Sequence, residues 1–587
     1  MDEAKPTDRR TEDKDPFAPY RKWVAEFDSW SEASEQKAAA RLATLSVRPR
    51  ISVILPVFNP PVRFLVQAIE SVRHQVYPEW ELCIADDAST NPEIRPLLEE
   101  MARRDDRIHL VVRDRNGHIS HASNSALDLA SGEFVALLDH DDELAADALL
   151  EVGLEISKQP DAAIIFSDED KIDESGNRYE AYFKPDWNPD LFNGQNMISH
   201  LGVYRRSWVE RVGRFRPGFE GSQDWDLALR IVERVSPGQI RHIPRVLYHW
   251  RAISGSTARE MTEKHYALDA ARRTLGEHLV RTGRQGELIP VPGGHWRIRY
   301  SMTSVPLVSL IIPTRDAGLL LEQCLESIRG KTTYPRYEIV LVDHESKEKH
   351  ARKVLAEAAS AGHRIVPATG PFNFSALVNR GVAHARGDYV CLLNNDLSVI
   401  TPDWLEEMVS HALRPGIGAV GAMHYYPDDT IQHSGVVLGV GGVASHAHKD
   451  FARGSEGMLN RARLVQNYSA VTGATLLVRR DLYLDAGGFD QDALAVAFGD
   501  VDFCLRLRQR GYRTVWTPFA EFTHHESATR GDDLRPGRRD AFAREVTEME
   551  HRWGHLLYRD PAYNTNLTLR KDDFSLADSP RSGERFE

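Results

Sequence analysis

The same polar residues occur twice in this chain, in the same order and at nearly constant spacing. Ser52-Val53-Ile54-Leu55-Pro56 returns as Ser309-Leu310-Ile311-Ile312-Pro313, and Asp86 returns as Asp343, 257 residues on. Ser120, Asn124, Gly132, Asp139 and Asp141 return as Ser375, Asn379, Gly387, Asn394 and Asp396, at a spacing of 255. Asp224, Asp226, Arg230 and His249 return as Asp500, Asp502, Arg506 and His525, at 276. A repeat of so long a period means one fold used twice. Many of the repeated residues are carboxylates, so the chemistry is expected twice as well.

A chain of 587 residues exceeds what one core supports, and the repeat divides it into two units of about 250 residues. The expected order is an N-terminal helical extension over 1–47, a first unit over 48–300, a second over 301–559 and a tail over 560–587. The net charge of −13 argues against a nucleic-acid or anionic-membrane surface, which needs basic patches. No run of 18 apolar residues suggests a membrane span, and the start Met1-Asp2-Glu3-Ala4-Lys5 is too polar for a signal peptide. A cytoplasmic protein is therefore expected. Cys83, Cys324, Cys391 and Cys504 form no CxxC pair, and read as small buried hydrophobes.

Trp23, Phe27 and Trp30 are spaced for one helical face. From Arg50 onward strands and helices alternate. Strands are predicted over 51–57, 81–85, 108–112 and 134–138, with helices over 61–72 and 91–104. The second copy repeats the order with strands over 307–313, 338–342, 364–366 and 389–393. Short apolar runs separated by helices mean an α/β, mainly parallel sheet covered on both faces. Pro290, Pro292, Gly293 and Gly294 break the pattern and mark the boundary. The last 15 residues read as disordered.

Ligands bind beyond the carboxyl ends of the strands in such a sheet. Asp86 and Asp87 follow the second strand, and Asp139-His140-Asp141-Asp142 follows the fourth. Clustered like charges call for a cation or hydrogen-bonding ligand, and carboxylates with room for phosphate oxygens suit Mg²⁺ or Mn²⁺. The competing reading is helix capping, above all for Asp142 before the run 143–150. Asp224 and Asp500 each sit at the N-terminus of an amphipathic helix, where the dipole favours a carboxylate, as a cap or a general base. His249 and His525 each lie 25 residues beyond that Asp, candidates for a metal or a diphosphate oxygen.

These residues resemble family 2 glycosyltransferases of the GT-A fold, a Rossmann-like α/β domain, here in tandem. The resemblance rests on the strand ending in Pro56, on Asp86-Asp87, on Asn116 to Asn124, on Gly132-Glu133, on Asp139 to Asp142 and on Gln223-Asp224, and again on Ser309 to His525. Ser167 to Asp173, Phe183 to Trp187 and Asp560 to Asn564 are similar to tandem bacterial enzymes of O-antigen and capsule synthesis, with a leaning towards rhamnosyl transfer. The resemblance implies a nucleotide-sugar donor, dTDP-rhamnose or a UDP- or GDP-sugar, and a glycan or lipid-linked glycan acceptor. It leaves room for peripheral association with the inner face of the cell membrane and for an oligomer or assembly partner.

On this reading Asp224 and Asp500 are the bases of two inverting transfers. Pro56, Asp86, Asp87, Asn124 and Asp139, with Pro313, Asp343, Asn379, Asn394 and Asn395, hold the nucleotide sugars. Asp139, Asp141 and His249, with Asp396 and His525, hold the metals. Two departures stand out. Gln223 and Gly499 replace the Glu that often precedes the base, and Asn394 replaces the first Asp of the metal motif. The metal motif and the base lie 21 residues further apart in the second copy. The alternatives are one catalytic unit beside a degenerate glycan-binding unit, a glycoside hydrolase, and a processive membrane polymerase, for which the chain lacks the spans.

Overall fold

The computed structural model describes residues 15–252, 265–525 and 539–581. In the first unit the strands are β1 (Ile51–Val57), β2 (Trp80–Asp86), β3 (Ile108–Val112), β4 (Phe134–Leu137), β5 (Glu143–Leu144), β6 (Ile164–Ile172), β7 (Arg178–Tyr182), β8 (Gly202–Arg205) and β9 (Ile240–Arg251). They form one sheet in the order β3-β2-β1-β4-β8-β6-β9-β5, with β7 on β6. The half built from β1 to β4 is parallel. β8 enters antiparallel between β4 and β6, a feature the alternating pattern did not disclose. In β1, Ile51, Val53, Leu55 and Val57 pack into one core while Ile54 packs into another. That is the period-two alternation of a strand covered on both faces.

A hairpin follows, β10 (Gly286–Val291) with β11 (His295–Tyr300). The glycines expected to break the chain, Gly293 and Gly294, make its turn at φ of 86° and 79°, where L side chains are strained.

The second unit repeats the plan with β12 (Val308–Thr314), β13 (Tyr337–His344), β14 (Arg364–Ala368), β15 (Tyr389–Leu393), β16 (Leu397–Val399), β17 (Ile417–Tyr425), β18 (Ile431–His433), β19 (Val436–Leu438), β20 (Ala444–His446), β21 (Gln466–Tyr468), β22 (Thr475–Arg479) and β23 (Arg513–His524). Its order, β14-β13-β12-β15-β22-β17-β23-β16, matches the first strand for strand. β22 takes the place of β8. Phe134 faces Arg205 and Tyr389 faces Arg479, while Ile164 faces Tyr204 and Ala419 faces Val478. The spacing between copies therefore grows from 255 to 274 between β17 and β22, which locates 19 of the 21 extra residues there.

The described segments before β1 and after residue 559 are built into the structure. In the helix Ala18–Phe27, Tyr20 and Trp23 are buried, and the Tyr20 hydroxyl donates to Asp170 Oδ2 at 2.7 Å. Trp30 lies beyond that helix and is exposed. The tail was expected to be irregular and then disordered, yet Asp560, Asn564, Asn566, Phe574 and Ala577 are buried. Polarity misled here because the tail's polar groups pair internally: Asn564 Nδ2 donates to both carboxylate oxygens of Asp168, at 3.0 and 2.9 Å, and to the Lys184 carbonyl at 2.8 Å. The expectation for residues 582–587, like that for Met1 to Lys5, lies outside the described residues.

The two units also meet through Asn188, Asp190 and Asn467. Asn467 Nδ2 donates to Asp190 Oδ2 at 2.7 Å, and Asn188 Nδ2 donates to the Asn467 carbonyl at 2.8 Å. Arg414 pairs with Asp190. All four cysteines are buried and free. No described helix is long and apolar enough to cross a membrane.

Candidate active site

A cavity of about 870 Å³ opens beyond the carboxyl ends of β1 and β4. Pro56, Asp139 and Asp224 line it together with His200, Tyr248 and Trp250. Asp139 is held where β4 ends, its amide donating to the Tyr248 hydroxyl at 3.2 Å. The same hydroxyl donates to Asp142 Oδ2 at 2.5 Å, and Asp142 Oδ1 accepts the Arg251 amide at 2.7 Å. Enclosure raises the pKa of the Asp139 carboxyl; Asp141 and Asp224 add to the effect and His200 opposes it. The ligand atoms of Asp139, Asp142 and His200 lie within 4.8 Å of one another. Two carboxylates and an imidazole form a donor set that suits a hard or borderline divalent cation. A cation there would stabilise the ionised Asp139 that enclosure disfavours.

This trio differs from the one read in the sequence. The Asp139–Asp142 turn closes with the Asp142 amide on the Asp139 carbonyl at 3.3 Å, and Asp142, not Asp141, shares the cluster. Asp142 is no helix cap, since β5 follows it and the next helix begins at Ala148. His200 carried no motif. Its ring stacks on Tyr248 with centroids 4.6 Å apart, and Nδ1 lies 3.3 Å from Glu169 Oε2. Burial lowers the His200 pKa, but Glu169, Asp139 and Asp142 outweigh it and bring it to about 9. Glu169 is itself held by Lys184 Nζ, fully buried, at 3.3 Å.

His249 does not join this group. Tyr248 and Trp250 face the cavity, so the residue between them points to the other side of the strand. There its Nδ1 meets Asp170 Oδ1 at 2.6 Å. Strand pairing also dissolves the match with His525. Glu143 faces His249, while Ser398, the equivalent of Glu143, faces Thr523. In the second unit His524 reaches the motif instead, with Nε2 3.1 Å from Asp396 Oδ1 and 3.4 Å from Asn394 Nδ2. His525 donates its backbone amide to the Asp396 carbonyl. Asn395 Nδ2 donates to Thr314 Oγ1 at 3.0 Å.

Asp224 begins the helix Gln223–Val232, its Oδ2 accepting from Asn196 Nδ2 at 2.7 Å. Burial raises its pKa, against the pull of His200 and two backbone amides. Asp500 begins the helix Gly499–Gln509 and accepts the Gly473 amide at 2.6 Å. The second repeated Asp is structural in both copies. Asp226 pairs with Arg230, which donates to the carbonyls of Val212 and Arg214, and Asp502 pairs with Arg506 in the same way.

The remaining sequence candidates hold loops. Asp86 and Asp343 each accept an amide three residues on, from Ser89 at 3.0 Å and Ser346 at 3.1 Å. Asp87 accepts from Arg113 Nε at 2.7 Å and from the Gly117 amide. Asn124 uses both ends of its amide on the Phe215 backbone, as Asn379 does on that of Phe489. The sequence suggests both asparagines as nucleotide-sugar ligands; in the structure they hold the loops that lead to the helices of Asp224 and Asp500. Pro56 and Pro313 occupy matching positions, opposite Ala85 and Val342.

The sequence matches Glycosyl transferase family 2 over residues 52–213 and 309–482. The chain belongs to this family, with two of its domains in tandem. An uncharacterized protein of Sinorhizobium fredii, y4gI, is 50% identical over 556 residues, which is 93% of this chain and 61% of that protein. The O-antigen biosynthesis protein RfbC of Myxococcus xanthus is 36% identical over 583 residues, 97% of this chain and 44% of that protein. The chain thus spans between two-fifths and two-thirds of the length of these relatives. Among solved structures, a mannosyltransferase of Pyrobaculum calidifontis in complex with GDP-Man and Mn²⁺ is 19% identical with a TM-score of 0.32, covering 51% of this chain and 80% of that one.

Proposed function

We propose that the chain is a bifunctional inverting glycosyltransferase. It moves sugars from nucleoside-diphosphate donors to a growing bacterial surface polysaccharide, O-antigen or capsule, each domain forming its own linkage. One observation carries this reading: Asp224, a half-buried carboxylate at a helix N-terminus, shares a nucleotide-sugar-sized cavity with Asp139. A base needs a pKa shifted towards the working pH, and burial moves Asp224 in that direction.

Asp224 takes the proton of the acceptor hydroxyl while that oxygen attacks the anomeric carbon from the face opposite the leaving diphosphate, and the anomeric centre inverts. Asn196 orients the carboxylate. Asp139, Asp142 and His200 hold Mg²⁺ or Mn²⁺, which when bound neutralises charge on the departing phosphate. Asp500 takes the base role in the second domain, with Asp396 and His524 at the diphosphate. The RfbC relative supports the polysaccharide assignment.

A second reading, one catalytic domain beside a glycan-binding one, draws on an asymmetry. Among the described residues the group of three possible cation ligands lies in the first domain, whereas Asp396 is buried against His524. Release of nucleoside diphosphate from a panel of nucleotide sugars, measured for wild type and for Asp224→Asn and Asp500→Asn, separates the two. Bifunctionality requires each substitution to abolish a different transfer; if Asp500→Asn changes no transfer, the second reading holds.

A further inference from the structure

The first domain's cavity is not closed by the first domain alone. Leu459 and Asn460 of the second domain line it, beside Gly293, Gly294 and His295 of the interdomain hairpin. Both residues come from the stretch between β17 and β22 that holds most of the extra residues of the second copy. Both sit in the left-handed region, at φ of 51° and 64°. A leucine there is strained, and such strain persists only where the surroundings fix the backbone. They do so on each side. The Met458 amide donates to His448 Nε2 at 3.1 Å, and the buried Arg461 donates to Gln466 Oε1 and to the Ala562 carbonyl, each at 2.9 Å.

The tip held in this way carries a buried acceptor, Asn460 Oδ1, with no hydrogen-bond partner in the protein. Asn196 Oδ1, on the residue that orients Asp224, is buried and unpartnered too. Buried amide oxygens are rarely left unpaired, and a polyol supplies the donors they need. His295 nearby is kept neutral, its pKa brought to about 4 by burial, which outweighs the opposing pull of Glu456 and is helped by Arg463, so it can exchange hydrogen bonds with hydroxyls. The nucleotide side of the cavity belongs to the ends of β1 and β4, which leaves this wall to the other substrate.

We propose that Leu459 and Asn460 form the acceptor wall of the first domain's site, Leu459 packing on the sugar ring and Asn460 Oδ1 accepting a hydroxyl of the acceptor glycan. The second domain then sets which glycan the first domain extends. This rests on the transferase reading of the cavity.

The test uses the full chain. Because all four native cysteines are buried, Asn460→Cys introduces a thiol that a small maleimide labels selectively. Oligosaccharides ending in hexose, 6-deoxyhexose or N-acetylhexosamine are expected to slow labelling, at least one of them severalfold, while UDP, GDP and dTDP do not. Protection by the nucleotides with none by the saccharides, or a thiol that never reacts in the folded chain, overturns the proposal. Kinetics give the second arm. Asn460→Gly relieves the strained backbone and so keeps the fold, and in an Asp500→Asn background it should raise the acceptor KM about tenfold, with kcat and donor KM within twofold. A raised donor KM, or an unchanged acceptor KM, refutes it. Saccharide protection without any sugar transfer would sink the transferase reading and leave the acceptor wall standing.

Discussion

Removing one amide from the C-terminal segment tests whether the tail is part of the first domain. Asp168 is fully buried, and its carboxylate is satisfied by the Lys184 amide at 2.8 Å, His242 Nε2 at 2.9 Å, Asn566 Nδ2 at 3.3 Å and the forked contact from Asn564 Nδ2. Asn564→Ala deletes that fork and the bond to the Lys184 carbonyl. A hydrogen bond to a charged group contributes about 1.5–3 kcal/mol, and a buried group left short costs about 1–3 kcal/mol. The neighbouring Asn566 amide recovers part of this, so the net loss is expected near 3 kcal/mol. Urea unfolding followed by tryptophan fluorescence reads it as a lower midpoint with an unchanged slope. Asp168 adjoins Glu169, which holds His200, so Mn²⁺ affinity measured by calorimetry should fall in the same variant. An unfolding free energy within about 0.5 kcal/mol of wild type would show that the tail merely lies on the surface it touches and that the buried pairing does not hold it there.

His242 gives a pH test of the same network. Burial alone would lower its pKa, but Asp168 and Asp186, at 2.9 and 3.0 Å, raise it to about 9. A folded-state pKa above the ordinary 6.5 means that its stabilisation is complete below pH 6.5 and is lost as pH rises through about 9. The full span is about 3 kcal/mol, and His242→Gln should flatten that part of the stability–pH curve; an unaltered curve would contradict the pairing. His200→Ala should weaken Mn²⁺ binding at least tenfold, whereas His249→Ala should leave it within twofold; the reverse ranking would restore the sequence-based ligand set. Gly132→Ala and Gly387→Ala should each cost several kcal/mol by thermal melting, because a Cβ would lie 2.6 and 2.7 Å from the hydroxyl oxygens of Ser52 and Ser309; wild-type melting would mean that the strand shifts freely.

Those two glycines show why the repeat over-reported chemistry. Gly132 donates its amide to Ser52 Oγ and to Glu81, and Gly387 donates its amide to Ser309 Oγ. Asp226 and Asp502 anchor an arginine, and Asn124 and Asn379 anchor a loop. Each is a polar residue demanded by one backbone position, and a duplicated fold repeats it whether or not it repeats a reaction. The first four strands of each copy and the place of Asp139 and Asp224 were legible because they follow from apolar periodicity and from where a strand ends. His200 was not legible. It lies in the region where the two copies differ in length, so no partner at fixed spacing marked it, and the tertiary contacts with Tyr248 and Glu169 bring it to the cluster. The failure of His249 has the opposite cause. Its equal spacing to His525 arises from offsets that change between the helix Gln223–Val232 and β9, from 276 to 274, so the equal spacing joins residues that strand pairing separates.

The insertion that breaks the symmetry is thus the informative part of the repeat. Two copies of one domain, left identical, would offer two equal cavities. Here the added stretch of the second copy supplies a wall of the first, and the C-terminal segment that follows the second copy completes the first copy's buried network through Asn564 and Asn566. The coupling runs one way in both cases, from the second domain to the first. A change in the second domain that disturbs Arg461, which bonds to Gln466 and to the Ala562 carbonyl, should therefore be felt at the first cavity, while Asp500 of the second domain is held by a backbone amide of its own domain. Isolating the first domain would therefore remove part of the wall of the cavity that Asp224 lines.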